Sequence, residues 1–186
     1  MENRAYNEPF SQRLNRLQNN PPVEIIDTLL NSIDNYFNNE ISLTIEGHNY
    51  QTNLLFLGVH AVALTISEAF YNIKGSQGFK LFLEKYIDED IDNKKFSLIA
   101  EKIHNWRNNL AHQWLASSGH QIGYDYNMES GWENKNGVIF INPRIYCNQY
   151  IAAFRGNNSR IWNYSAFGDI ELEAIKQRLL AKYIRN

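Results

Sequence analysis

Residues 95–117 read "KFSLIAEKIHNWRNNLAHQWLAS". Phe96, Ile99, Ile103, Trp106, Leu110 and Trp114 recur there at steps of three or four, the spacing that gathers apolar side chains on one face of an α-helix. No proline or glycine interrupts the run, and "ASSGH" (116–120) supplies the stop. An apolar stripe of this length must be covered, so the fold turns on whether the chain holds other helices to cover it.

Three more precede it. Pro21 and Pro22 open a helix, with Asn20 as its expected cap, and Ile26, Leu29, Leu30, Ile33 and Phe37 form the stripe. A second is expected over about residues 51–73, apolar on nearly every side across "LLFLGVHAVALTI" (54–66). That pattern marks a central, buried helix. The run is too short to cross a bilayer and contains His60, which reads as a hydrogen-bonded core histidine. "KGSQG" (74–78) ends this second helix, and a third starts at about Ser76, with Phe79, Phe82, Leu83, Tyr86 and Ile87 on one side, and ends at the acidic, solvated turn "DEDID" (88–92). Four helices joined by short turns predict an antiparallel bundle over residues 21–118.

The texture then changes. "HQIGYDYNM" (120–128) alternates, "GVIFIN" (137–142) is β-branched and aromatic, and the turn-rich "ESGWENKNG" (129–137) lies between them. This predicts a β-hairpin over residues 119–143. Asn142-Pro143 reads as the cap and first residue of a helix reaching about Phe154. Asp169 is the expected cap of a last helix with Ile170, Leu172, Ile175, Leu179 and Tyr183 inside, so residues 144–186 add two helices. Residues 1–20 read as a polar arm with a short helix around "FSQRLNRLQ" (10–18). The expectation is one mainly α domain over residues 1–186, a helical bundle elaborated by a hairpin and two helices.

The 186 residues are enough for one proper core, and 44% hydrophobic with 20% charged residues is an ordinary globular composition. "MENRAYNEPF" (1–10) has no apolar run of the secretory kind, so a cytoplasmic protein with no membrane partner is expected. A single cysteine, Cys147, excludes an internal disulfide framework and a multi-cysteine metal site. The net charge of -2 argues against a general coat for nucleic acid, but it is uneven. The first 134 residues carry ten basic and seventeen acidic side chains, the rest eight and three. A basic end on an acidic body is either an anion-binding surface or a solvated helix face.

Within the fourth helix, a wheel at about 100° per residue puts Arg107 at the edge of the core stripe. His104, Asn108, Ala111, His112 and Leu115 fall on another face, neither wholly polar nor wholly apolar. A histidine exchanges protons near neutral pH, and an arginine offers a fixed fork of donors that fits phosphate oxygens. Together they suit attack of an RNA 2′-hydroxyl on its own phosphate, with histidine moving protons and arginine stabilising charge. Arg107 and His112 lie about 140° apart and about 7.5 Å along the axis, so both reach one cleft only if the arginine bends across the face or a two-fold axis brings two pairs together.

"RNNLAH" (107–112) resembles the R-x-x-x-x-H signature of the HEPN superfamily, helical-bundle proteins that include many metal-independent ribonucleases of toxin–antitoxin, antiviral and RNA-processing systems. Asn108 matches the polar residue that often follows the arginine, and Trp114 stands where the toxin branch carries an aromatic, usually tyrosine. The resemblance implies a HEPN-like fold, with Arg107, His112 and Asn108 as catalytic residues. It also implies a homodimer through the helix face carrying Ala111 and His112. RNA would be the substrate, with His104, Trp114, Arg144 and Arg155 as the residues expected to contact it. A cognate antitoxin is an expected partner, and no cofactor or metal is required. The alternative is a non-catalytic HEPN-like module that binds RNA, a nucleotide or a protein. Other signals are weaker: "GSQG" (75–78) lacks a phosphate-loop lysine, and His104 and His112 are eight apart rather than four.

Overall fold

The structure is a computed structural model and describes residues 10–46, 52–88, 94–113, 122–155 and 160–184. It is mainly helical with one small sheet. The described residues fall into two compact units.

The first unit holds α1 (Phe10–Asn19), α2 (Pro22–Tyr36) as far as Ser32, and the last helix of the chain, Asp169–Ile184. Leu17, Ile25, Ile26, Leu30, Ile175, Leu179 and Leu180 are buried. Lys176 is buried as well, and its ammonium donates to the carbonyl of Asn20 at 2.7 Å. Asn20 does not act as the expected cap of α2; its side-chain amide donates to the Glu24 carboxylate at 2.5 Å. The Tyr164 hydroxyl donates to Asp27. The last helix begins at Asp169, so the residue before it, Gly168, holds the capping position. The Gly168 N–H donates to the Glu171 carboxylate at 2.9 Å, half of a capping box.

The second unit, Ile33–Asn163, carries the bundle. The end of α2 runs through a wide turn of π-helix, Phe37–Ile41, into α3 (Ser42–Glu46). Next come α4 (Thr52–Tyr71) and α5 (Gly75–Phe82), the latter widening into a π turn at Leu83–Ile87. Asn72, in the left-handed region at φ 57°, stops α4. The Ser67 hydroxyl donates to the carbonyls of Ala63 and Gly78 at 2.9 and 2.6 Å, tying α4 to α5. Gly78 allows that approach: a Cβ there would sit 2.4 Å from the carbonyl oxygen of Ile73.

The fourth expected helix begins later than its apolar stripe. Phe96–Ile99 is a tight 3-10 turn, and α6 proper is Ala100–Gln113. The cause is local: the buried Asp88 carboxylate accepts the backbone N–H groups of Phe96 and Ser97 at 2.7 and 3.0 Å. Asp88 therefore caps the turn that leads into α6, where the sequence reading placed a solvated loop. Phe96, Ile99, Ile103 and Leu110 are buried as the stripe requires, and Trp106 is half-buried. Trp114 lies outside the described residues.

The expected hairpin is corrected. β1 (Ile122–Tyr124) runs parallel to β3 (Val138–Ile141), with Ile122 beside Ile139. The antiparallel partner of β3 is β2 (Trp132–Lys135), which lies inside the stretch expected to be turn. The sheet order is β1-β3-β2. The reversal between β2 and β3 is Asn136-Gly137, with φ of 56° and 86°, the pair a two-residue hairpin turn favours.

Asn142 caps α7 (Pro143–Phe154) as expected, its side-chain oxygen accepting from the N–H groups of Arg144 and Ile145 at 2.9 and 3.3 Å. This helix is no elaboration on a finished bundle. Tyr146, Cys147, Tyr150 and Phe154 are fully buried. Tyr146 stacks on Phe56 at 4.8 Å between ring centroids, Tyr150 on Phe82 at 5.5 Å, and Phe154 lies 5.0 Å from Phe37. Burying side chains of this size is worth roughly 1.5–3 kcal/mol each, so α7 is a main source of the unit's stability.

One helix among the described residues, α4, is long and apolar enough to cross a membrane, and half of its most apolar window is buried inside the protein. Its apolarity is that of a core helix, packed on α5, α6 and α7.

Candidate functional site

Three helices meet where the motif begins. Along α6, His104 and Arg107 are three residues apart and share a face, with Asn108 beside them. From α4, His60 brings its Nε2 to within 3.0 Å of the Nδ1 of His104. From α5, the Phe79 ring covers His60 at 4.3 Å and stands 6.3 Å from His104. On the far side of α6, Trp106 meets Phe56 and Tyr124 edge-on at 5.6 and 5.7 Å. The α4 core and strand β1 thereby fix the rotation of α6, which determines the residues it presents.

His60 is only 1% exposed, as a core histidine should be. Its satisfaction is incomplete. Among the described residues, neither Nδ1 of His60 nor Nε of Arg107 has a hydrogen-bond partner, although both atoms are buried. Burial, then the charge of Arg107, then His104 push the His60 imidazole down to about 3. Burial and Arg107 lower His104 as well. Both rings are therefore neutral at pH 7, with the positive charge of Arg107 near them.

The Arg107 guanidinium is half-buried and donates through Nη1 to the Asn108 Oδ1 at 3.1 Å. Adjacent helical residues do not normally face each other, so the bond requires the arginine to fold back along α6. His112 is a residue of α6, one turn beyond Asn108; its side chain lies outside the described residues. Ala111 is exposed.

The other expected contact residues stand elsewhere. Arg144 is exposed at the start of α7, with its guanidinium 5.7 Å from the centre of the Tyr126 ring. Arg155 is exposed at the far end of α7, where its N–H closes the helix on the Ile151 carbonyl at 3.0 Å. The two arginines are thus at opposite ends of one helix. Several other basic side chains of the C-terminal third are engaged within the protein. Lys135 pairs with Asp125 and Glu133 at 3.3 and 3.6 Å, Arg160 donates to the Tyr86 carbonyl at 3.2 Å, and Lys176 is buried.

Sequence reasoning missed the His60–His104 pair. The two residues are 44 apart, and nothing in local spacing joins them. The available signal was a lone histidine inside an otherwise apolar helix, with a second histidine on the neighbouring helix of the bundle. No protein-family model, curated protein or solved structure matches the chain.

Proposed function

We propose that this protein is a metal-independent endoribonuclease of HEPN type that cuts RNA by attack of a 2′-hydroxyl on the adjacent phosphate. The observation that carries the reading is the state of Arg107. Its guanidinium is half-buried, steered by Asn108, with a donor nitrogen left unpartnered among the described residues. It stands five residues before His112 on one helix. Arg107 keeps its charge and a planar fork of donors, and phosphate oxygens are acceptors that such a fork fits. In this reading Arg107 stabilises charge on the phosphoryl oxygens, His112 moves protons, and Asn108 orients the arginine. Pairing of two α6 helices through the exposed Ala111 would bring two motifs together in a homodimer. Arg144 and Arg155 would hold the RNA backbone outside the reacting centre. A protein of this kind would act as a toxin or defence effector restrained by an antitoxin.

The test is incubation of purified protein with end-labelled RNA in EDTA. The expected products carry 2′,3′-cyclic phosphate ends, and DNA of the same sequence stays intact because it lacks the nucleophile. His112→Ala should abolish cleavage with little loss of RNA binding, whereas Arg107→Ala should weaken both. Equal cleavage by the wild type and pure His112→Ala protein would overturn the catalytic assignment. Binding without cleavage would transfer it to a non-catalytic RNA-binding module.

A further inference from the structure

We infer that His60 is a positioning residue that holds His104 in the tautomer with its hydrogen on Nε2, so that His104 and Arg107 form a paired donor site for a phosphate oxyanion. This rests on the reading of the Arg107 face as an RNA site, and it adds two residues that the R-x-x-x-x-H motif does not contain.

The argument is one of hydrogen count. Each neutral imidazole has one N–H and one bare nitrogen. The 3.0 Å contact between His60 Nε2 and His104 Nδ1 needs one hydrogen and one lone pair. Two arrangements satisfy it. If His104 donates from Nδ1, the hydrogen of His60 must sit on its own Nδ1, which is buried and has no acceptor among the described residues. If His60 donates from Nε2, only a lone pair is left bare at that buried atom. A buried orphan N–H is rarer in folded proteins than an under-used acceptor, so the second arrangement prevails. Nδ1 of His104 is then an acceptor and its hydrogen is on Nε2.

A third arrangement, with one ring protonated, is opposed by burial and by the charge of Arg107. Phe79 from α5 keeps water from the His60 ring, and Arg107 presents a positive charge from α6. Both rings stay neutral, and His104 is fixed as a donor. It is half-exposed and one turn from Arg107 on the same helix face. A neutral N–H and a guanidinium one turn apart on one helix face suit an anion with several acceptor oxygens. A divalent metal needs lone pairs, and this arrangement supplies none at the exposed ring edge.

The experiment separates the hydrogen position from the ligand. In 15N-histidine-labelled protein at neutral pH, long-range proton–nitrogen correlation should show His104 with Nε2 protonated and Nδ1 bare. Inorganic phosphate, and then a DNA oligonucleotide that cannot be cut, should move the His104 ring signals and the Arg107 Nε–H signal together. Movement by phosphate alone would assign a small-anion site, movement by both a nucleic-acid phosphate site, and either supports the donor pair. His60→Gln keeps an amide donor toward His104 and should retain phosphate binding. His60→Phe fills the space without a donor and should weaken it about tenfold. If His60→Phe does not fold, the wild-type tautomer and the His60→Gln protein still decide. An Nδ1-protonated His104 in the wild type, or signals that neither probe moves, would overturn the inference. Loss of the ribonuclease reading looks different: the tautomer and phosphate binding would be as stated, and RNA would remain uncut.

Discussion

The guanidinium of Arg107 donates to Oδ1 of its chain neighbour Asn108 at 3.1 Å, an intrahelical bond that turns the arginine along α6. Asn108→Ala removes the acceptor and leaves the charge. RNA cleavage is expected to fall roughly tenfold, with most of the loss in turnover, because a misplaced arginine still binds but no longer meets the transition state. Thermal melting should hardly change, since Asn108 is half-buried and at the edge of the core. An Asn108→Ala protein that is fully active and equally stable would remove Asn108 from the site.

The depressed His60 imidazole makes stability depend on pH. The unfolded chain takes up a proton near 6.5, the ordinary value, whereas the folded protein resists it until about 3. Stability from this group is therefore complete above the unfolded value and declines as pH falls through the interval. The slope should be about 1 kcal/mol per pH unit between about pH 6 and pH 4. His104, also lowered, acts in the same direction. Urea titrations of wild type and His60→Phe at several pH values check this. The difference between the two curves should shrink, or change sign, toward acid, because the variant has no proton to exclude at that position.

Asp88 joins the end of the α5 segment to the start of α6, with its carboxylate bonded to the N–H groups of Phe96 and Ser97. Asp88→Ala leaves two buried donors without partners. A loss of roughly 2 kcal/mol is expected, at the upper end for a helix cap. Asp88→Asn retains one good acceptor and should cost about half as much. Denaturant midpoints distinguish the two. Equal stability of all three proteins would show that the turn before α6 is held by packing alone.

Cys147 reports on the core. Burial pushes its thiol up to about 12, and no part of the side chain reaches solvent. A thiol reagent at about pH 8 should label it at the rate of unfolding and not at the rate of a free thiol. Phe154→Ala, which takes a ring from the cluster of Phe37, Phe82 and Phe154, should cost roughly 3–5 kcal/mol and accelerate the labelling. Rapid labelling of native wild type would mean that α7 opens locally.

Assembly is tested at Ala111. The residue is exposed on α6, so a large side chain there does not disturb the core. In a two-fold dimer through this face the same residue appears twice. Ala111→Trp should convert a dimer to folded monomers in sedimentation and lower cleavage with it. A wild-type protein that is monomeric at high concentration would separate the motif from any shared site.

The helices were legible because each writes its own period. Phe96, Ile99, Ile103 and Leu110 declared the buried face of α6 and of the turn before it, and Asn142-Pro143 declared the start of α7, from neighbours within one or two turns. What escaped was decided across the chain. The pairing of β1 with β3 is parallel and passes over β2, so no turn sequence marks it. Asn136-Gly137 did mark the β2–β3 reversal, but the polar "WENK" before it carries no apolar alternation and read as loop. Asp88 looked like one of a solvated acidic run until the two N–H groups it accepts were placed. At the site, Arg107, Asn108 and His112 were legible as a motif, and Arg107 at the edge of the stripe is half-buried as the wheel implied. The His60–His104 contact depends on how α4 and α6 rotate against each other, which periodicity alone does not set.

The burial of α7 has a consequence for the order in which the chain can fold during synthesis. Phe37, Phe56 and Phe82 emerge early, yet their ring partners Phe154, Tyr146 and Tyr150 arrive only after the sheet has been made. Until then α4 and α5 pack on each other and on α6 but lack the rings of α7, and contacts so distant in sequence form slowly. Phe37, Phe56 and Phe82 thus lack their ring partners through much of the chain's elongation. The core of the unit closes only when Phe154, at the end of α7, has been made.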